Sequence, residues 1–68
     1  MNSKLTVGIY NDTIGKFLSG TIAFDPTQER IEELKEIADN CKKFNPQYDF
    51  SVVDCTSDNF TKTIHVAK

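Results

Sequence analysis

Two cysteines and one histidine are the residues of this chain best suited to chemistry, and their spacing works against it. A disulfide needs its two Cα atoms within about 7 Å. Cys41 is expected near the end of a helix and Cys55 just past the far end of the strand that follows. That strand puts roughly 23 Å between them, at about 3.3 Å per residue. A bridge within the chain is therefore not expected. Cys41 falls on an apolar stripe and reads as a buried structural thiol. Cys55 falls in a polar turn, with no Lys, Arg or His next to it in sequence to lower its pKa. A Cys–His nucleophilic pair needs hydrogen-bond reach. His65 is expected on the outward face of a sheet, opposite Asp49 or Ser51 and away from both thiols. No enzyme is expected.

Metal and nucleotide signatures fail on the same kind of count. The run Asp54-Cys55-Thr56-Ser57-Asp58 lacks the spacing and the glycine of a calcium loop. One His and two separated Cys do not supply a zinc site. Between Gly8 and Gly15-Lys16 lie six residues, where a phosphate-binding loop has four, and Phe17 replaces its Ser or Thr. Glu29, Glu32, Glu33 and Glu36 read as a solvated helix face. No cofactor and no metal are expected.

Composition narrows the class. The chain has 68 residues and a net charge of −2, with both signs mixed. One domain, residues 1–68, is the expected count. A domain of this size buries only about 60% of its unfolded surface, and small chains often lean on a partner. The mixed, slightly acidic charge argues against general affinity for nucleic acid or for an anionic membrane. No apolar run approaches spanning length, and Met1 to Tyr10 lacks a leader's apolar core, so a cytoplasmic protein is expected.

The elements that must position any site are well marked. Asp25 to Lys43 predicts one amphipathic helix, with Asp25 as N-cap and Pro26 at the first helical position. Ile31, Leu34, Ile37, Ala38, Cys41 and Phe44 form its apolar stripe. Asn45-Pro46 stops it. Lys4 to Tyr10 alternates as a half-buried strand with Leu5, Val7 and Ile9 on one face. Asn11 to Lys16 reads as a turn and Phe17 to Phe24 as a second strand, with Leu18, Ile22 and Phe24 inward. Tyr48 to Asp54 predicts a third strand, with Tyr48, Phe50 and Val52 inward. Phe60 to Val66 predicts a fourth, with Phe60, Ile64 and Val66 on one face.

The expected fold is thus α+β, a ββαββ order with a four-stranded sheet and one helix on one face. Two strand orders satisfy a right-handed crossover. In 2-1-4-3 the first and fourth strands run parallel in the centre, as in a β-grasp. In 2-1-3-4 the first and third pair antiparallel. The closing segment, Asp58-Asn59-Phe60-Thr61-Lys62-Thr63-Ile64-His65-Val66, is similar to the last hairpin of the immunoglobulin-binding domains of protein G, as is the element order. The resemblance implies the β-grasp order, 2-1-4-3. It implies no antibody binding, because the helix and third-strand positions do not match.

Two surfaces are expected to meet partners. The run Phe17 to Phe24 has no charge and no proline, so it reads as an unguarded edge strand. Phe17, Ser19, Thr21 and Ala23 are its contact residues, and a homodimer built by pairing two such edges is the expected assembly. The outward sheet face, with Thr6, Tyr10, Thr61, Thr63 and His65, is the second. The function expected is a small non-catalytic protein-binding domain, of the type found among phage and mobile-element inhibitors and adaptors. The alternative is a weak nucleic-acid or small-ligand binder using the Thr-rich outer face. An RNA-binding sheet wants aromatics among Lys and Arg, and the basic residues are missing.

Overall fold

The computed structural model describes residues 5–57 and 60–68, apart from the side chains of Ser57, Phe60 and Thr61. One helix packs against a five-stranded antiparallel sheet. In chain order the elements are β1 (Thr6–Asn11), β2 (Lys16–Phe17), β3 (Ala23–Phe24), α1 (Gln28–Phe44), β4 (Phe50–Ser57) and β5 (Phe60–Val66). The sheet runs β2-β1-β4-β5, and β3 also pairs with β1.

The order corrects the β-grasp expectation. The centre of the sheet is β1 against β4, antiparallel, with Ile9 opposite Val52 and Asn11 opposite Phe50. The strands with the most apolar helix-facing side chains, β1 and β4, hold the middle. Their register is clamped at one end by the turn after β1. The Asp12 amide donates to the Asp49 carbonyl at 2.8 Å, and the Asp49 amide donates to the Thr13 hydroxyl at 2.8 Å. These bonds bring the end of β1 to the start of β4, which a central β5 would not permit. The order follows the alternative 2-1-3-4, except that its second strand is broken into two short pieces.

That break is the second correction. Phe17 to Phe24 is not a continuous edge strand, because the chain leaves the ladder after the Leu18 amide, which donates to the Ile9 carbonyl at 2.9 Å, and rejoins it at Ala23. Gly20 takes φ +80°, a left-handed value that glycine adopts at no steric cost. Thr21 repairs the ladder with its side chain. Its hydroxyl accepts from the Ile9 amide at 3.3 Å and donates to the Leu18 carbonyl at 2.7 Å. A strand has a period of two, so such an interruption can reverse which residues face inward. Leu18 and Ala23 pack against the core, whereas Ile22 and Phe24 are exposed, against expectation.

The helix also starts later than its sequence signals imply. Thr27 is the N-cap, accepting from the Arg30 amide at 3.1 Å, and Asp25 instead takes a positive φ of 51°. The apolar stripe is narrower than expected. Ile31, Leu34 and Ala38 are buried, but Ile37 is part-exposed and Phe44 lies open to solvent. The core seats Leu34 and Ala38 on Val7, Ile9, Phe50, Val52 and Ala67. Lys42 ties the helix end to the next strand, donating to the Pro46 and Tyr48 carbonyls and to Asp49 at 3.0–3.1 Å.

On β5 the expected facing is also reversed beyond Thr63. Val52 pairs with His65 and Val53 with Thr63, so Ile64 is an extra residue in β5. Such a bulge re-aims the side chains beyond it. His65 faces the helix and Ala67 is buried, while Ile64 and Val66 are exposed. Phe60, expected inward, has its side chain outside the described residues. Strand β4 runs on to Ser57, so Cys55 lies within a strand and not in a turn.

Candidate functional site

Among the described residues the helix covers one face of the sheet and no element covers the other, the bare face. Cross-strand partners share a face, so the registers assign the bare one: Tyr10 beside Phe17 and Ser51, Gly8 beside Val53, Thr6 beside Phe24, Val53 beside Thr63 and Ser51 beside Val66. Gly8 governs its relief. A Cβ built at Gly8 would sit 3.0 Å from Ile22 Cγ1 and 3.3 Å from Phe17 Cδ1. Without one, Phe17 and Ile22 fold down over the strand. Val53, the cross-strand neighbour of Gly8, is 5% exposed although no described helix lies above it.

A cleft of about 310 Å³ opens on this face, lined by Tyr10, Asp12, Phe17, Val53 and Thr63. Tyr10 and Phe17 meet edge to face, with ring centroids 5.0 Å apart and planes at 68°. Such pairs hold their geometry through the ring quadrupoles. Asp12 stands at one end of the cleft and accepts a hydrogen bond from the Ser51 hydroxyl at 2.6 Å. The turn that carries Asp12 is ordered by Asn11, whose Oδ1 accepts from the Thr13 and Ile14 amides at 3.0 and 3.2 Å. The same face also exposes apolar side chains outside the cleft: Ile22, Phe24 and Val66.

The expected contact residues are partly gathered here. Thr6, Tyr10 and Thr63 are on the bare face, and Phe17 joins them from the broken edge. Thr61 has its side chain outside the described residues. Ser19 lies exposed in the loop, Thr21 is spent on the ladder, and Ala23 packs toward the core. His65 is on the opposite face, where its Nε2 meets Asp39 of the helix at 2.9 Å. The bulge at Ile64 accounts for that reversal. Sequence reasoning missed Asp12, Ile22, Phe24 and Val66. The one available signal was Gly8, a gap in an alternating strand that marks close approach by a neighbour.

Two further carboxylates are engaged structurally. Hydrogen bonds from His65, with the Lys68 amide assisting, hold the Asp39 carboxyl below its usual range. The Thr56 hydroxyl and amide do the same for Asp54. Burial pushes the Cys55 thiol up, which lowers its thiolate fraction and its nucleophilicity at neutral pH. Cys41 and Cys55 are both free. Among the described residues no group of three or more His, Cys, Asp or Glu is placed to hold a metal ion, and no helix is long and apolar enough to cross a membrane.

No family model, curated protein or solved structure matches this chain.

Proposed function

We propose that this chain is a non-catalytic protein-binding domain whose contact surface is the bare face of the sheet. The observation that carries this reading is the apolar exposure of that face. Phe24 is 77% exposed on it, and the same face also presents Ile22 at 43%, Phe17 at 36% and Val66 at 57%. A face that exposes apolar and aromatic residues with few charges has the composition of an interface core. The broken edge does not offer the continuous row of backbone groups on which pairing through Phe17 to Phe24 rests, so side chains and not strand addition make the contact.

Phe44 provides the control. At 78% exposure it matches Phe24, but it lies at the end of the helix. Affinity capture from the source cells, quantified by mass spectrometry, should retain a partner with the wild type and with Phe44→Lys, and lose it with Phe24→Lys. Equal loss from both variants, or from neither, contradicts the reading. Sedimentation of the purified chain identifies a second copy as the partner if Phe24→Lys also converts a dimer to a monomer. Nucleic acid in the captured material, released steeply by salt, would favour the opposing reading.

A further inference from the structure

We propose that the Tyr10–Phe17 cleft receives the guanidinium of an arginine presented by the partner protein. This rests on the bare face being the partner surface and specifies what that partner must carry. The cleft has three of the parts that such a side chain needs. Val53, 5% exposed, gives an apolar floor for the methylene stem. Tyr10 and Phe17, set at 68° to one another, present one ring edge-on to the other. A planar cation over an aromatic face is attracted by the ring quadrupole, and arginine is the residue best shaped for it.

The third part is the carboxylate of Asp12. Its Oδ2 is held by the Ser51 hydroxyl at 2.6 Å, which fixes the group's orientation. Its Oδ1 has no hydrogen-bond partner among the described residues, and Asp12 belongs to no ion pair there. The nearest cations in register, Lys16 and Lys62, are paired with Asn11 and Asp54, on the helix side of the sheet. Among the described residues, Asp12 is thus the one formally charged side chain lining the cleft. An oriented carboxylate beside aromatic rings repels an anion and offers a cation a charge-assisted hydrogen bond. The volume, about 310 Å³, is at the small end for ligand sites and suits a single inserted side chain.

The test is a titration of the ¹⁵N-labelled chain with N-acetyl-arginine amide and, separately, with N-acetyl-citrulline amide, its uncharged isostere. Arginine should shift the amides of Tyr10, Asp12, Phe17, Val53 and Thr63 saturably. Citrulline with the wild type, and arginine with Asp12→Asn, should each bind at least about tenfold more weakly, the loss of one charge-assisted hydrogen bond. The asparagine can still accept from Ser51, so the fold should hold; the citrulline arm needs no variant at all. No saturable shift with arginine, or equal affinity for citrulline, overturns the proposal. Equal affinity would leave the bare face as a partner surface recognised by shape alone. Partner capture indifferent to Phe24→Lys would sink that broader reading while this titration still succeeded.

Discussion

The two faces of the sheet reach burial by different routes. On the helix side Val7, Ile9, Val52 and Leu34 are wholly buried between two layers, as in any α+β core. On the bare side Val53 is nearly as buried, yet no described helix covers it, and Phe17 and Ile22 of the broken edge lie over its cross-strand neighbour Gly8. One face is closed by a helix, whereas the other presents side chains that are themselves part-exposed. The first has packing that a partner could not improve. The second keeps apolar surface in contact with water, and burying that surface is the main source of favourable free energy in association. On the proposed reading, the bare face is therefore the one that gains by binding.

Substitutions should separate the two faces by the size of their effects. Leu34→Ala removes a wholly buried side chain from the helix side and is expected to cost about 2–5 kcal/mol in urea unfolding. Next comes Thr21→Val, similar in shape but lacking the hydroxyl that serves the Ile9 amide and the Leu18 carbonyl. Leaving a buried polar group unmet costs about 1–3 kcal/mol. Its local signature should be faster exchange of the Ile9 amide than of the Val52 amide. A change of both amides together would mean that Thr21 acts on the whole sheet.

Gly8→Val should act on the bare face with less cost. The new side chain meets the flexible ends of Ile22 and Phe17 rather than backbone, so about 1 kcal/mol is expected, at the low end for added core volume. Phe17 should move away from Tyr10, and loss of the Tyr10–Phe17 contacts in nuclear Overhauser spectra would report it. Unchanged ring contacts would refute the role assigned to Gly8.

The smallest effect belongs to the pair that joins β5 to the helix. Its hydrogen bond with His65 depresses the Asp39 carboxyl. A depressed carboxylate contributes stability that is present above its ordinary pKa and lost as pH falls through its lowered one. Both partners are part-exposed, so under about 1 kcal/mol is expected. The stability gap between the wild type and Asp39→Asn should be present at neutral pH and close in acid. A gap that persisted unchanged below the carboxylate range would show that the pair contributes through packing alone.

The elements with strong local signals were legible. The alternation of Val7 and Ile9, the stripe through Ile31, Leu34 and Ala38, and the stop at Asn45-Pro46 all correspond to the fold. What escaped were register events. A two-residue period carries no warning that the chain loops out between Leu18 and Ala23 or that Ile64 is an extra residue, and each event turns the residues beyond it to the other face. Phe24 and Val66 were thus expected in the core and stand on the bare surface. The helix start slipped because Asp25-Pro26 offers the usual cap signals, yet Thr27 makes the bond. The cleft was half visible: Tyr10, Phe17 and Thr63 carried the right facing. Asp12 could not be placed there without the turn that Asn11 orders.

Site-specific photocrosslinking reads the functional difference between the faces directly. A benzoylphenylalanine placed in turn at Phe24, Val66 and Phe44 probes three exposed apolar positions, two on the bare face and one at the helix end. Irradiated in the source cells, positions 24 and 66 should yield an adduct to the same protein, and position 44 none. An adduct from position 44 alone, or equal yields from all three, would contradict the assignment of the bare face as the binding surface.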